Sequence, residues 1–269
     1  MHHVTSKDGT AIAFDRLGEG RPLILVNGAL SRRADAASVA ASLAPQFTVF
    51  AYDRRGRGDS GDTPPYAIER EIEDIAALLA EAGGTAYVFG HSSGAILALE
   101  AARLLAPAIT KLAVYEPPFI VDDRTRPLPE DYVTRLAELV AADRRGAAVT
   151  YWMTTVVRVP DETLASMQNA PMWHAFEAMA PTLVYDATIS ADYVKGKPLP
   201  SGKWASVTIP TLVMDGGESP AMMHSAALAL TAILPNAQHR RFPGQGHGVA
   251  AEVLVPVLVE FFHRDTPAH

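Results

Sequence analysis

A chain of 269 residues, 48% hydrophobic and 20% charged, has the balance of an ordinary globular protein, which excludes disordered, collagen-like and low-complexity classes. With no cysteine it can form no disulfide, thiolate zinc site, iron–sulfur cluster or cysteine nucleophile. A formal charge of −7 argues against a nucleic-acid partner, and no apolar run approaches the roughly 20 residues that span a bilayer.

The opening residues, Met1 to Gly9, lack a signal-peptide apolar stretch, so a cytoplasmic protein is expected. Short apolar runs bounded by Gly, Pro or Asn predict buried strands at Ala11–Phe14, Pro22–Val26 and Phe47–Tyr52. Ile68, Ile72, Ile75 and Leu79 then recur at helical spacing, with Glu69, Glu71, Glu73 and Asp74 at the other positions, and Gly83-Gly84 ends that helix. Strands at Ala86–Phe89 and Lys111–Tyr115 flank a nearly all-apolar helix, Ala95–Leu105. From about Phe119 to Ala205 the rhythm changes. This region is helix-like, broken by Pro127, Pro129, Pro160, Pro171, Pro181, Pro198 and Pro200, and holds all three tryptophans, Trp152, Trp173 and Trp204. It reads as a helical insertion; the alternative is a continuation of the alternating pattern. A strand at Thr211–Met214, a helix at Ala221–Leu234, a strand-like Arg240–Phe242 and a helix at Glu252–Phe262 close the chain. Strands alternating with helices predict an α/β fold with a mostly parallel sheet. The expected organisation is one core, residues 1–118 and 206–269, interrupted by an insertion at 119–205.

Gly90-His91-Ser92-Ser93-Gly94 follows one predicted strand and opens the next helix. Gly-x-Ser-x-Gly has chemical meaning in this context: the turn is tight, glycines let neighbouring backbone pass, and a strained serine presents its hydroxyl at the sheet's carboxyl edge. Ser92 is therefore the candidate nucleophile. Ser93, the rival, lacks the flanking glycine spacing and is better used as an oxyanion donor. A serine hydroxyl needs an adjacent base. His247, in Gly244-Gln245-Gly246-His247-Gly248, is the best candidate, because it follows the last strand and lies after the serine in the chain. Among the other histidines, His91 is expected to pack locally and His2, His3, His263 and His269 to be solvated. His174, His224 and His239 have no partner motif.

Together these residues resemble the α/β-hydrolase superfamily. Leu25-Val26-Asn27-Gly28-Ala29 stands where that family usually has His-Gly, and Asp53-Arg54-Arg55-Gly56-Arg57-Gly58-Asp59-Ser60 looks like its Asp-x-Arg-Gly-x-Gly-x-Ser turn. The resemblance implies an eight-stranded, mostly parallel sheet flanked by helices, with a helical cap inserted after strand six. It also implies an oxyanion hole from the N–H groups of Ala29 and Ser93. The Asp53–Ser60 turn looks structural, and its Arg-Gly-Asp tripeptide coincidental. The family's usual acid position falls here on Ser219, with Asp215 and Glu218 nearby but out of register. Some members instead carry the acid just after strand six, where Glu116 stands in Tyr115-Glu116-Pro117-Pro118. Glu116 is the preferred acid and Asp215 the alternative.

The expected function is a serine hydrolase acting through an acyl-enzyme on an ester, thioester or lactone-type carbonyl of a small to medium apolar substrate. No metal or organic cofactor is implied, and the partners are a small-molecule substrate and, at most, a second copy of the chain (monomer or homodimer). Serine rather than aspartate at the nucleophile turn argues against epoxide hydrolase and haloalkane dehalogenase chemistry. Tyr151, Trp152, Met153, Met172, Trp173, Phe176 and Met179 either line a pocket or form the insertion's own core. Two alternatives stand beside hydrolysis: a cofactor-free lyase, cyclase or acyltransferase, and a catalytically silent ligand-binding protein, which Ser219 at the usual acid position keeps open.

Overall fold

A computed structural model describes residues Met1–Arg264; His269 and the end of the expected core segment lie outside the described residues. The strands are β1 (His2–Thr5), β2 (Ala11–Leu17), β3 (Arg21–Val26), β4 (Phe47–Tyr52), β5 (Ala86–His91), β6 (Ile109–Tyr115), β7 (Thr211–Gly216) and β8 (Ala237–Phe242). They form one 8-stranded sheet in the order β1-β2-β4-β3-β5-β6-β7-β8. β1 and β2 pair antiparallel at one edge, and every pairing from β4 to β8 is parallel. This is the eight-stranded, mostly parallel sheet that the motifs implied. The strands run longer than their apolar segments because edge strands carry polar residues on the open face. β8 alternates exposed and partly buried positions, and only its Arg240–Phe242 end was legible.

Helices cover both faces: α1 (Ala37–Leu43), α2 (Ile68–Glu81), α3 (Ser93–Leu104), then α4 (Tyr132–Ala141), α5 (Arg145–Tyr151), α6 (Asp161–Gln168), α7 (Met172–Met179) and α8 (Leu183–Ser190), and finally α9 (Ala221–Ile233) and α10 (Ala251–His263). α2, α3 and α9 bury one sheet face, with Ile75, Leu78, Ile96, Leu99 and Leu230 inaccessible to solvent. α1 and α10 cover the other. α2 departs from a simple two-faced helix. Glu71 and Asp74, at positions outside its apolar stripe, are 1% exposed because arginines of the 53–60 turn meet them.

Between β6 and β7 the chain forms α4–α8 and a π-helical turn at Trp152–Val157, with a hydrophobic cluster of its own. Trp152, Met153, Trp173 and Met179 are buried in that cluster beside Leu136 and Ala148, so they serve as packing. Met172 instead faces solvent. Trp204 belongs to the main core, where its indole N–H donates to Glu100 Oε1 at 3.1 Å.

Candidate active site

The β5–α3 connection is as tight as the glycines imply. Ser92 follows β5 directly at φ 57°, ψ −127°, and α3 starts at the next residue. A Cβ on Gly90 would lie 2.6 Å from the Gly94 carbonyl oxygen, and one on Gly94 would lie 2.3 Å from that of Val26. Only glycine permits this approach of strand, turn and helix. The Ser92 N–H donates to Tyr115 O at 2.9 Å, tying the turn to the end of β6. Helix α3 therefore begins two residues earlier than its apolar pattern predicts, because the turn spends no residue on a loop.

The loop after β3 packs against this turn. A Cβ on Gly28 would stand 2.8 Å from Ser92 Cβ. Asn27, in place of the family's usual histidine, donates its amide to Arg32 O at 3.0 Å and closes the loop on itself. Ser93 is the first residue of α3, so its N–H has no acceptor within the helix. Among the described residues the Ala29 N–H makes no hydrogen bond either.

His247 and Glu116 come together from 131 positions apart: His247 Nδ1 and Glu116 Oε2 are 2.6 Å apart. Glu116 is fully buried at φ 48°, and its Oε1 accepts the Gly216 N–H at 2.7 Å. Burial alone would push this carboxyl up, but the hydrogen bonds with His247 and the Gly216 N–H, with the Ser219 hydroxyl nearby, outweigh it and hold it below its usual range. The buried Ser219 Oγ itself makes no regular hydrogen bond.

The loop carrying His247 is anchored twice. Tyr115 donates its hydroxyl to Gly246 O at 2.6 Å, and His91 Nε2 lies 2.9 Å from His247 O. Burial, reinforced by the nearby His247, pushes His91 down to about 4, so the ring is neutral near pH 7. Its bonded nitrogen faces a carbonyl and must carry the proton. Sequence reasoning expected local packing for His91; it instead holds the neighbouring loop. The His247 side chain is 43% exposed, and among the described residues Ser92 Oγ makes no hydrogen bond. Such contacts are often loose before substrate binds.

Asp215, the alternative acid, is engaged elsewhere. Its side chain points toward α9, where Oδ2 lies 3.1 Å from His224 Nδ1 and Oδ1 bonds His239 Nε2. His224 and His239 thus have a partner that sequence did not reveal. The three donor groups lie within 4.8 Å of one another and are of a type that could hold a metal ion. Arg241 Nε, 3.5 Å from the same carboxylate, already supplies positive charge there. Glu218 donates its backbone N–H to Gln245 O in the turn beside this loop.

Sequence reasoning missed Asp186. This fully buried α8 carboxylate accepts the Ser93 hydroxyl at 2.7 Å, Arg54 Nη1 at 2.8 Å and Arg57 Nη2 at 2.6 Å. The available signal was a single charge in the otherwise uncharged run Leu183–Ser190, which must find a partner if buried.

A family model described as "Alpha/beta hydrolase family" matches residues 23–255. A solved alpha/beta hydrolase from Sphaerobacter thermophilus is 56% identical with a TM-score of 0.90, covering 97% of this chain and 100% of that one. N-formylmaleamate deformylase of Pseudomonas putida is 38% identical over 104 residues, a match spanning 38% of this chain and 39% of that protein. The non-heme chloroperoxidase CPO-A1 of Kitasatospora aureofaciens is 24% identical over 97% of this chain and 96% of its own length.

Proposed function

This chain belongs to the alpha/beta hydrolase family, and we propose that within it the protein is a serine hydrolase. The observation that carries this reading is the 2.6 Å Glu116–His247 contact beside the strained Ser92 turn. With Nδ1 bound to a carboxylate, the imidazole offers Nε2 as the base. Ser92 Oγ attacks the substrate carbonyl as its proton passes to His247. The Ala29 and Ser93 N–H groups receive the oxyanion. The imidazolium then protonates the leaving group, and a water activated by His247 releases the acyl-enzyme.

An ester, thioester or lactone-type substrate of small to medium size and apolar character fits the surroundings. Ala29 and Leu30 of the oxyanion loop share one apolar cluster with Ile120, Leu128 and Met222. In this reading residues 119–205 act as a cap over the carboxyl edge of the sheet. The Glu116–His247 pairing favours hydrolysis over a silent binding protein, since a binding site has no need of an oriented imidazole. Among the described residues no helix is long and apolar enough to cross a membrane.

A fluorophosphonate probe tests the proposal. Wild-type protein should be labelled at Ser92, Ser92→Ala should not, and p-nitrophenyl esters should be turned over only by the former. Absence of labelling in the wild type would sink the reading. Labelling without turnover of any ester would move it to a non-hydrolytic acyl transfer.

A further inference from the structure

The proposed catalytic groups all belong to the sheet and its loops, yet one buried carboxylate from the insertion reaches them. Asp186 lies at the centre of a four-charge cluster. Arg54 grips Glu71 with Nε at 2.6 Å and Nη2 at 2.7 Å and turns Nη1 toward Asp186, while Arg57 pairs with the other Asp186 oxygen. All four side chains are at most 1% exposed. Two guanidiniums and two carboxylates balance, so the cluster is neutral as a whole, which is the condition for keeping charges dry. Burial would raise the Asp186 carboxyl, but Arg57, Arg54 and the Ser93 hydroxyl outweigh it and hold it ionised.

The same arginines hold the oxyanion loop. Arg57 donates Nη1 to Gly28 O at 2.6 Å, and Arg54 Nη1 lies 3.3 Å from Asn27 O. Each fixes a peptide immediately before Ala29. On the other side, the Ser93 hydroxyl is fixed directly by Asp186. The residues on both sides of the proposed oxyanion hole are therefore referenced to one carboxylate. That carboxylate is carried by a helix whose preceding residue, Tyr185, also docks on the core: its ring stacks on Tyr66 at 3.9 Å and its hydroxyl donates to Asp62 at 2.5 Å.

We propose that Asp186 is a positioning residue: it sets the mutual placement of the Ala29 and Ser93 N–H donors and makes the insertion part of the oxyanion-binding machinery. The inference rests on the serine-hydrolase reading for its catalytic consequence and on hydrogen bonds alone for its structural one.

Asp186→Asn keeps the shape and removes the charge. Folded variant should lose roughly tenfold to a hundredfold in kcat with KM changed less than about threefold, because misplaced donors weaken the transition state more than the ground state. Affinity for a trifluoromethyl ketone, whose hemiketal oxyanion uses the same donors, should fall in parallel. Ser93→Ala retains the backbone N–H and loses one bond to Asp186, so it should show the same pattern at smaller amplitude. It serves as the test if Asp186→Asn does not fold. Equal inhibitor affinity and kcat in the folded variants would overturn the proposal. The Ala29 N to Ser93 N separation in a crystal structure of folded Asp186→Asn, or of Ser93→Ala, separates the two ideas. It should change from the wild-type value even if Ser92 proves unreactive, and an unchanged separation would reject the positioning role whatever the chemistry.

Discussion

Ser92 and Glu116 leave the sheet side by side. His91 and Tyr115 face each other in the parallel β5–β6 register, and the next residue on each strand is the serine or the glutamate, both at positive φ. Adjacent strands thus present Ser92 and Glu116 at one edge, and the loop after β8 brings His247 onto Glu116. Backbone strain at both positions is sustained by packing and by hydrogen bonds from Ser92 N to Tyr115 O and from Glu116 N to Met214 O.

Glu116→Gln preserves volume and an acceptor for the Gly216 N–H but removes the charge that orients and stabilises His247. Turnover of a p-nitrophenyl ester should drop by about 10⁴, with the far-ultraviolet circular dichroism unchanged. Asp215→Asn, by contrast, breaks contacts to His224 and His239 and should leave kcat within about tenfold, provided the folded fraction is matched. Normal turnover in the first variant and loss in the second would reverse the assignment of the acid.

The Ser92 turn was legible because its physics is local: an apolar run, two glycines and a helix suffice to place it. The contact of Glu116 with His247 was legible only as one of two pairings, since which carboxylate meets His247 depends on how strands separated by the whole insertion align. Glu71 and Asp74 illustrate what periodicity cannot show. Their positions on α2 lie outside the apolar stripe, and burial follows only because Arg54 and Arg55 arrive from a distant turn. Asp186 and the His224–Asp215–His239 group fall in the same class, visible as isolated polar residues whose partners exist only in three dimensions.

Breaking the buried pair on α2 should be costly. Glu71→Ala leaves the buried cluster with one net positive charge: Arg54, which is 1% exposed, loses the carboxylate bound by two of its nitrogens and keeps only Asp186, shared with Arg57. We expect a loss of about 3–5 kcal/mol in urea unfolding. A change below about 1 kcal/mol would mean that water reaches the arginine.

His91 gives stability a defined pH dependence. Its folded pKa of about 4 lies below the ordinary histidine value of 6.5, so between those limits the unfolded chain binds the extra proton. Stability from this residue is therefore complete above pH 6.5 and is lost as pH falls toward 4, with a slope no greater than about 1.4 kcal/mol per pH unit. The lowered Glu116 carboxyl acts lower still: its contribution is present above its unfolded value of 4.5 and disappears below it. Burial raises the Asp74 carboxyl toward the same range, so the histidine is read from a difference in which groups common to both proteins cancel. The difference in unfolding free energy between wild type and His91→Gln should shrink as pH falls from 6.5 to 4.5, and a constant difference would show that the ring is solvated.

Gly28 offers a test of the oxyanion loop that leaves every titrating group in place. A methyl group there would meet Ser92 Cβ at 2.8 Å and His91 O at 3.1 Å, closer than side-chain carbons ordinarily come, and neither neighbour is the free end of a flexible chain. The loop must retreat from the nucleophile, carrying the Ala29 N–H with it. Removing a single oxyanion donor costs on the order of 10²–10³ in kcat. Gly28→Ala should approach that loss while His247 stays bonded to Glu116, so the pH at which activity rises should not move. Fluorophosphonate labelling, which also builds charge on an oxygen in the hole, should slow with it. Retention of full activity would mean that the loop has room to yield without moving its donor, and would place the oxyanion hole elsewhere.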